Sequence, residues 1–395
     1  MRDVLPRPAT LTFHGAEHSV ATGLGDRLGV WVPLFALAEL WGNATVALRW
    51  APAWKKLNAR IAGDAVSAAD CLKFPAYVQR EATATQLSTA TAIDLRLPMA
   101  GLQKGPEGPP TKPHHQLAYD RVPAILWWRW KLKGLLPVGS SGLDQFLAAC
   151  RRAAYAVRCH PECTPPAARE LEQRLRTARR RRVPTIFVHL RRGDRFMGAD
   201  AQRHRFERAT HKRLQEIVKG LAESRSSTDA MLPIEWVFLS DDADSAAAAQ
   251  AAVTVAAANV SLPVASSVAP PNATAWAFTS FRFASGVVVS CNKDGWSSFS
   301  SVPALLHGVP LYCVSDNSNP PGGMNARHSY LPAEAIAQHH RDEQGREASW
   351  SQAGQSLHGA AATRRKKIAL CWTTREEEGF ARAVLHVTST GAASG

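Results

Sequence analysis

From residue 183 onward the sequence alternates short β-rich apolar runs with helix-length stretches, a rhythm that few architectures accommodate. Thr185 to Leu190, Ile234 to Leu239, Val287 to Ser290 and Pro310 to Val314 are nearly continuous in apolar character. Strands of that kind are covered on both faces, the condition of a parallel sheet between helices. Phe206 to Ala222, the Ala-rich Ala243 to Ala258 and Val302 to Leu306 lie between them. The first half opens in the same way: Leu11 to His14 as strand, Gly23-Leu24-Gly25-Asp26-Arg27 as a glycine turn, Leu28 to Trp41 as helix, Thr45 to Trp50 as strand. The expected class is therefore α/β in both halves.

With 395 residues, 45% of them hydrophobic, the chain has apolar material for about two or three domains. Pro165 to Arg182 reads as a charged helix with Pro166 in its first turn, a suitable connector. The expected division is 1–164, a linker at 165–182, a second domain at 183–350, and a tail at 351–395 that carries the basic run Arg364 to Lys367 and frays. Apolar stretches are cut short of a membrane span, by Pro33 and Glu39 in one case and by Arg129, Lys131 and Lys133 in another.

Lys and Arg number 47 against 33 Asp and Glu, a formal charge of +14 that favours anionic partners. Seven cysteines leave at least one outside any intrachain pairing. Cys159-His160-Pro161-Glu162-Cys163 lacks the second pair that a zinc site needs and reads as a loop, closed by a disulfide if the chain is secretory. Sequons stand at Asn43, Asn259 and Asn272.

Chemistry concentrates where strands end. His189-Leu190-Arg191-Arg192-Gly193-Asp194 leaves the first of the later strands, and the carboxyl ends of parallel strands face the ligand crevice. Paired guanidiniums there grip a diphosphate, Gly193 permits the turn, and Asp194 orients an arginine. Phe238-Leu239-Ser240-Asp241-Asp242 offers carboxylates that accept from a ribose or base, or that cap the next helix. Ser297-Ser298-Phe299-Ser300 opens a helix, with Pro303 expected in its first turn, and hydroxyls at a helix start cradle phosphate oxygens.

In this order the three segments resemble the motifs of the fucosyltransferase superfamily that includes the α1,2-, α1,6- and protein O-fucosyltransferases; HLRRGD is most similar to the α1,2 branch. The early GLGDR resembles the glycine loop of α1,2 and plant cell-wall enzymes. The serine motif continues as Ser301-Val302-Pro303-Ala304 instead of with paired tryptophans, so no linkage is implied. The resemblance implies a GT-B architecture, two Rossmann-like domains facing a central cleft, with GDP-fucose on the second and a glycan or glycoprotein acceptor on the first. It implies inverting transfer without a metal or other cofactor. Arg192 and then Arg191 would stabilise charge on the departing β-phosphate. His189, Gly193, Asp194, Asp241, Asp242, Ser297, Ser298, Phe299 and Ser300 would hold the donor, with Gly23, Gly25 and Arg27 contributing. Asp26, and after it His14, is the candidate base, although Asp26 also suits an N-cap. Relatives act in the Golgi or endoplasmic reticulum lumen behind an anchor absent from this sequence, so a lumenal or else cytoplasmic site is expected. No nucleic-acid partner is expected.

Two other classes stay open. Asp242-Ala243-Asp244 spells the D-x-D with which metal-dependent GT-A enzymes hold a nucleotide-sugar. Alternatively, Arg179 to Arg182, Arg364 to Lys367 and the tryptophans at 127, 128 and 130 suit a basic glycan- or RNA-binding protein.

Overall fold

The structure, a computed structural model, describes residues 10–14, 24–42, 44–49, 70–80, 93–94, 143–191, 200–225, 233–270, 273–292, 295–314, 330–331 and 376–390. The chain divides into two compact units. One comprises Met1–Thr164, Thr274–Thr279 and Gly395, the other Pro165–Ala273 and Ser280–Ser394.

In the first unit β1 (Thr10–His14), α1 (Leu24–Trp41), β2 (Thr45–Arg49), β3 (Leu72–Lys73), β4 (Val78–Arg80), β5 (Ile93–Asp94), α2 (Leu143–Ala156) and β6 (Arg158–Cys159) follow in order. A parallel sheet forms in the order β4-β2-β1-β5. Helix α1 is buried on every face from Trp31 to Ala38, as its nearly unbroken apolar sequence requires. It begins at Leu24, which corrects the expected turn: Gly25, Asp26 and Arg27 lie in its first turn, and Asp26 is its third residue instead of its cap. An acidic residue near the positive end of a helix favours this earlier start. Strands β3 and β6 pair antiparallel, Leu72 opposite Cys159. Beside them Cys71 and Cys163 form a disulfide with a Cα–Cα separation of 5.6 Å. The loop from Cys159 to Cys163 is therefore not closed on itself, because the partner of Cys163 lies 92 residues earlier.

The second unit runs α3 (Pro166–Arg180), β7 (Thr185–Leu190), α4 (Asp200–Ser224), β8 (Ile234–Ser240), α5 (Ala243–Asn259) and β9 (Val264–Val268). Helix α6 (Thr274–Ser280) comes next in the chain, its residues Thr274–Thr279 belonging to the first unit, and the second unit resumes with a 3-10 turn at Phe281–Phe283, β10 (Gly286–Asn292), β11 (Gly295–Trp296), α7 (Ser298–His307), β12 (Leu311–Val314), β13 (Tyr330–Leu331) and α8 (Glu376–Thr390). Five parallel strands stand in the order β12-β10-β7-β8-β9, with β13 antiparallel beside β12 and β11 folded back onto β10. Side chains alternate across the sheet. Ile186, Val188, Leu190, Trp236, Phe238 and Val288 join residues of α4, α5 and α8 in one core. Phe187 and His189 point the other way, with ring centroids 5.2 Å from Phe281 and 5.1 Å from Phe299.

Three expectations are corrected here. Helix α3 does begin at Pro166, but it belongs to the second unit and buries Ala168, Leu171, Leu175 and Ala178. Its charged residues also work against the unit: Glu172 accepts from Arg282 at 2.8 Å, and Arg174 Nε donates to the buried Glu235 at 2.7 Å. Burial pushes the Glu235 carboxyl above its usual range, and Arg174 opposes that shift. Pro303 is the sixth residue of α7, past the first turn. Finally, residues 376–390 of the expected tail are helix α8, whose Phe380, Ala381 and Val384 are fully buried. The close approach of α8 is permitted by Gly286: a Cβ there would lie 2.8 Å from the Phe380 ring and nearer still to Val384.

Candidate functional site

The strand order fixes where a ligand crevice opens. From β7 the chain proceeds outward through β8 and β9, then returns to the opposite side of β7 for β10 and β12. Connections at the carboxyl ends of β7 and β10 therefore diverge, which makes that point the topological switch of the sheet. His189 and Arg191 sit at one side of it, and Ser290 followed by the serine run at the other.

Hydroxyls stitch the strand ends together. The Arg191 N–H donates to Ser290 Oγ at 2.8 Å, which ties the first residue after β7 to β10. On the other flank Ser240 Oγ donates to the Leu190 carbonyl at 2.7 Å and accepts from the Asp242 N–H at 3.1 Å. Neither serine was singled out in the sequence; a hydroxyl near the end of an otherwise apolar strand was the available signal. The three carboxyl ends are thereby held in register.

The central contact is between the first and third motifs. His189 Nδ1 lies 3.0 Å from Ser300 Oγ, both groups being buried, with the imidazole tilted against Phe299. Ser300 Oγ in turn donates to the Ser297 carbonyl at 3.3 Å. With that proton committed, Nδ1 carries the hydrogen donated to Ser300, a tautomer assigned from the network. Ser297 precedes α7, and its carbonyl accepts from the Ser300 and Ser301 N–H groups at 3.1 and 2.9 Å. Its own Oγ is fully buried and has no hydrogen-bond partner among the described residues. An orphaned hydroxyl of this kind costs about 1–3 kcal/mol until something accepts or donates. Here it stands at a helix start, where first-turn N–H groups favour an anion's oxygens.

The acidic residues divide. Asp242 caps α5: one carboxylate oxygen accepts from the Asp244 N–H at 3.2 Å and the other from Ser245 Oγ at 2.8 Å. Both oxygens are engaged in the cap, and the relation of Asp242 to Asp244 is that of a cap to its helix. Asp241, beside it, is exposed. Arg192, Gly193, Asp194 and Gly23 lie outside the described residues, as do the tryptophans at 127, 128 and 130 and the basic run Arg364 to Lys367. His14 ends β1, and Asp26, Arg27 and Ser298 have described backbones only.

Ser300→Ala leaves buried His189 without its hydroxyl partner. The expected cost is about 1–3 kcal/mol, measured by urea unfolding; an unchanged midpoint would show that the contact carries no stability.

No family model and no curated protein matches the chain. Among solved structures it is similar to the N-terminal domain of Candida albicans trehalose-6-phosphate phosphatase, at 10% identity over 99% of this chain and 95% of that one. With a TM-score of 0.25, that likeness carries no argument about fold or activity.

Proposed function

We propose that this chain is a glycosyltransferase that moves fucose from GDP-fucose to a hydroxyl of a glycan or glycoprotein, inverting the anomeric centre without a metal. In this proposal the two units are Rossmann-like halves of a GT-B-like enzyme. The observation that carries it is the His189–Ser300 hydrogen bond, which joins two motifs 111 residues apart at the switch point of a parallel sheet. The donor diphosphate lies against the start of α7, where the Ser297 hydroxyl donates to one of its oxygens and the positive end of the helix favours its charge. As the sugar C1–O bond breaks, charge grows on the β-phosphate, and Arg191 and Arg192 neutralise it in place of a divalent ion. Asp241 accepts from the nucleoside, and Asp26 or His14 takes the acceptor proton. The Cys71–Cys163 disulfide supports placing this activity in an oxidising lumen.

Calorimetry against GDP, UDP and CMP, followed by GDP-fucose hydrolysis without acceptor, tests the proposal. The expected result is selective GDP binding and turnover that survives EDTA. Turnover lost in EDTA would favour the metal-dependent class. Absent nucleotide affinity with salt-sensitive retention on heparin would instead favour a glycan-binding protein.

A further inference from the structure

Three cysteines of the first unit are tied by hydrogen bonds to the backbone of one residue, His160. The His160 N–H donates to the Cys71 carbonyl at 2.7 Å, and the Cys163 N–H donates to the His160 carbonyl at 3.0 Å. The Cys159 thiol donates to that same carbonyl at 3.6 Å. Thus both halves of the Cys71–Cys163 disulfide and the thiol of Cys159 are anchored to His160, on a two-strand ladder that sets Cys159 opposite Leu72. Thr164 Oγ1 lies 3.3 Å from Cys159 Sγ and 3.0 Å from the His160 carbonyl, so its one proton is shared between the two acceptors. The thiolate is the form of Cys159 that attacks disulfides. The thiol is only half-buried, so hydroxide and small thiols reach it.

We propose that Cys71, Cys159 and Cys163 form an intramolecular thiol–disulfide exchange centre. The Cys159 thiol loses its proton to solvent, and the thiolate attacks Cys163 Sγ. A Cys159–Cys163 bond forms as the Cys71–Cys163 bond breaks, and Cys71 leaves as a thiolate that takes up a proton. Electrons and protons balance without an outside oxidant or reductant. The exchange replaces a tether across 92 residues by one across four, and unties Cys71 from the segment that leads into α3. Cys150 is the internal control. It is fully buried next to Glu39, and burial pushes its thiol far above the usual range, so it does not take part.

Trypsin reports the two states separately. Cys71 falls on the peptide IAGDAVSAADCLK, whereas Cys159 and Cys163 share CHPECTPPAAR. The whole protein is held at pH 8, quenched with acid, alkylated and digested under non-reducing conditions, then analysed by mass spectrometry. The expected result is a fraction of CHPECTPPAAR with an internal disulfide, matched by an equal fraction of singly alkylated Cys71, both forming faster as pH rises from 6 to 8. In Cys159→Ser, Cys71 stays cross-linked under the same conditions, and Cys150→Ser behaves as the parent protein. Circular dichroism confirms that the variants are folded. Cys71 that stays fully cross-linked in the parent protein, or equal Cys71 labelling in Cys159→Ser, would overturn the proposal.

Discussion

Arg192→Ala is expected to lower GDP-fucose turnover at least about a hundredfold, the scale on which a donor aimed at developing charge is missed. The residue follows Arg191, whose backbone is pinned to Ser290, so the chain leaves β7 at a fixed point beside the serine run. In the proposed mechanism its guanidinium neutralises the charge that grows on the leaving diphosphate. Arg192 follows β7 in sequence instead of belonging to it, so the unfolding free energy should change by no more than about 0.5 kcal/mol. GDP affinity should fall as well, because the same cation binds the ground state in part. Arg192→Lys keeps the charge but loses the two-pronged geometry and should fall between the two. Turnover, GDP calorimetry and urea unfolding on the three proteins check this together. Undiminished turnover in the alanine variant would remove arginine from the proposed chemistry.

The later strands were legible because a parallel sheet covered on both faces leaves near-continuous apolar runs, and Thr185–Leu190 was read to its final residue. The edge strand Val264–Val268 was not read: its VASSV sequence is half-exposed and carries two serines, so it lacks that signature. Helix α7 starts four residues before the apolar stretch that announced it, because its first turn is built from hydroxyl residues that signal a cap. At the site, the motifs were legible one by one, whereas their meeting was not. The His189–Ser300 bond depends on β10 lying next to β7, and adjacency across 111 residues follows from strand order and not from local pattern. For Asp242 the sequence points first to a cap, and the Asp244 N–H and the Ser245 hydroxyl on its two oxygens show that cap. In the first unit, Cys163 sits four residues from Cys159, yet the fold gives it a partner that no spacing indicates.

Helix α8 gives the largest expected loss of stability. Phe380 is fully buried, its ring centroid 5.6 Å from that of Tyr312, and it lies over Gly286 in the middle layer of the sheet. Phe380→Ala should cost about 3–5 kcal/mol, the usual penalty for emptying a buried aromatic position that cannot collapse. Gly286→Ala acts from the other side: its methyl group collides with Phe380 and Val384, so α8 must shift and its buried face loses contact. The two changes share one volume, which makes their combination informative. In the Phe380→Ala background the added methyl has room on the side the ring vacated, and only Val384 still resists it. The double variant should therefore be destabilised by less than the sum of the single changes, measured as a double-mutant cycle from urea unfolding. Strict additivity would mean that Gly286 and Phe380 do not share that volume.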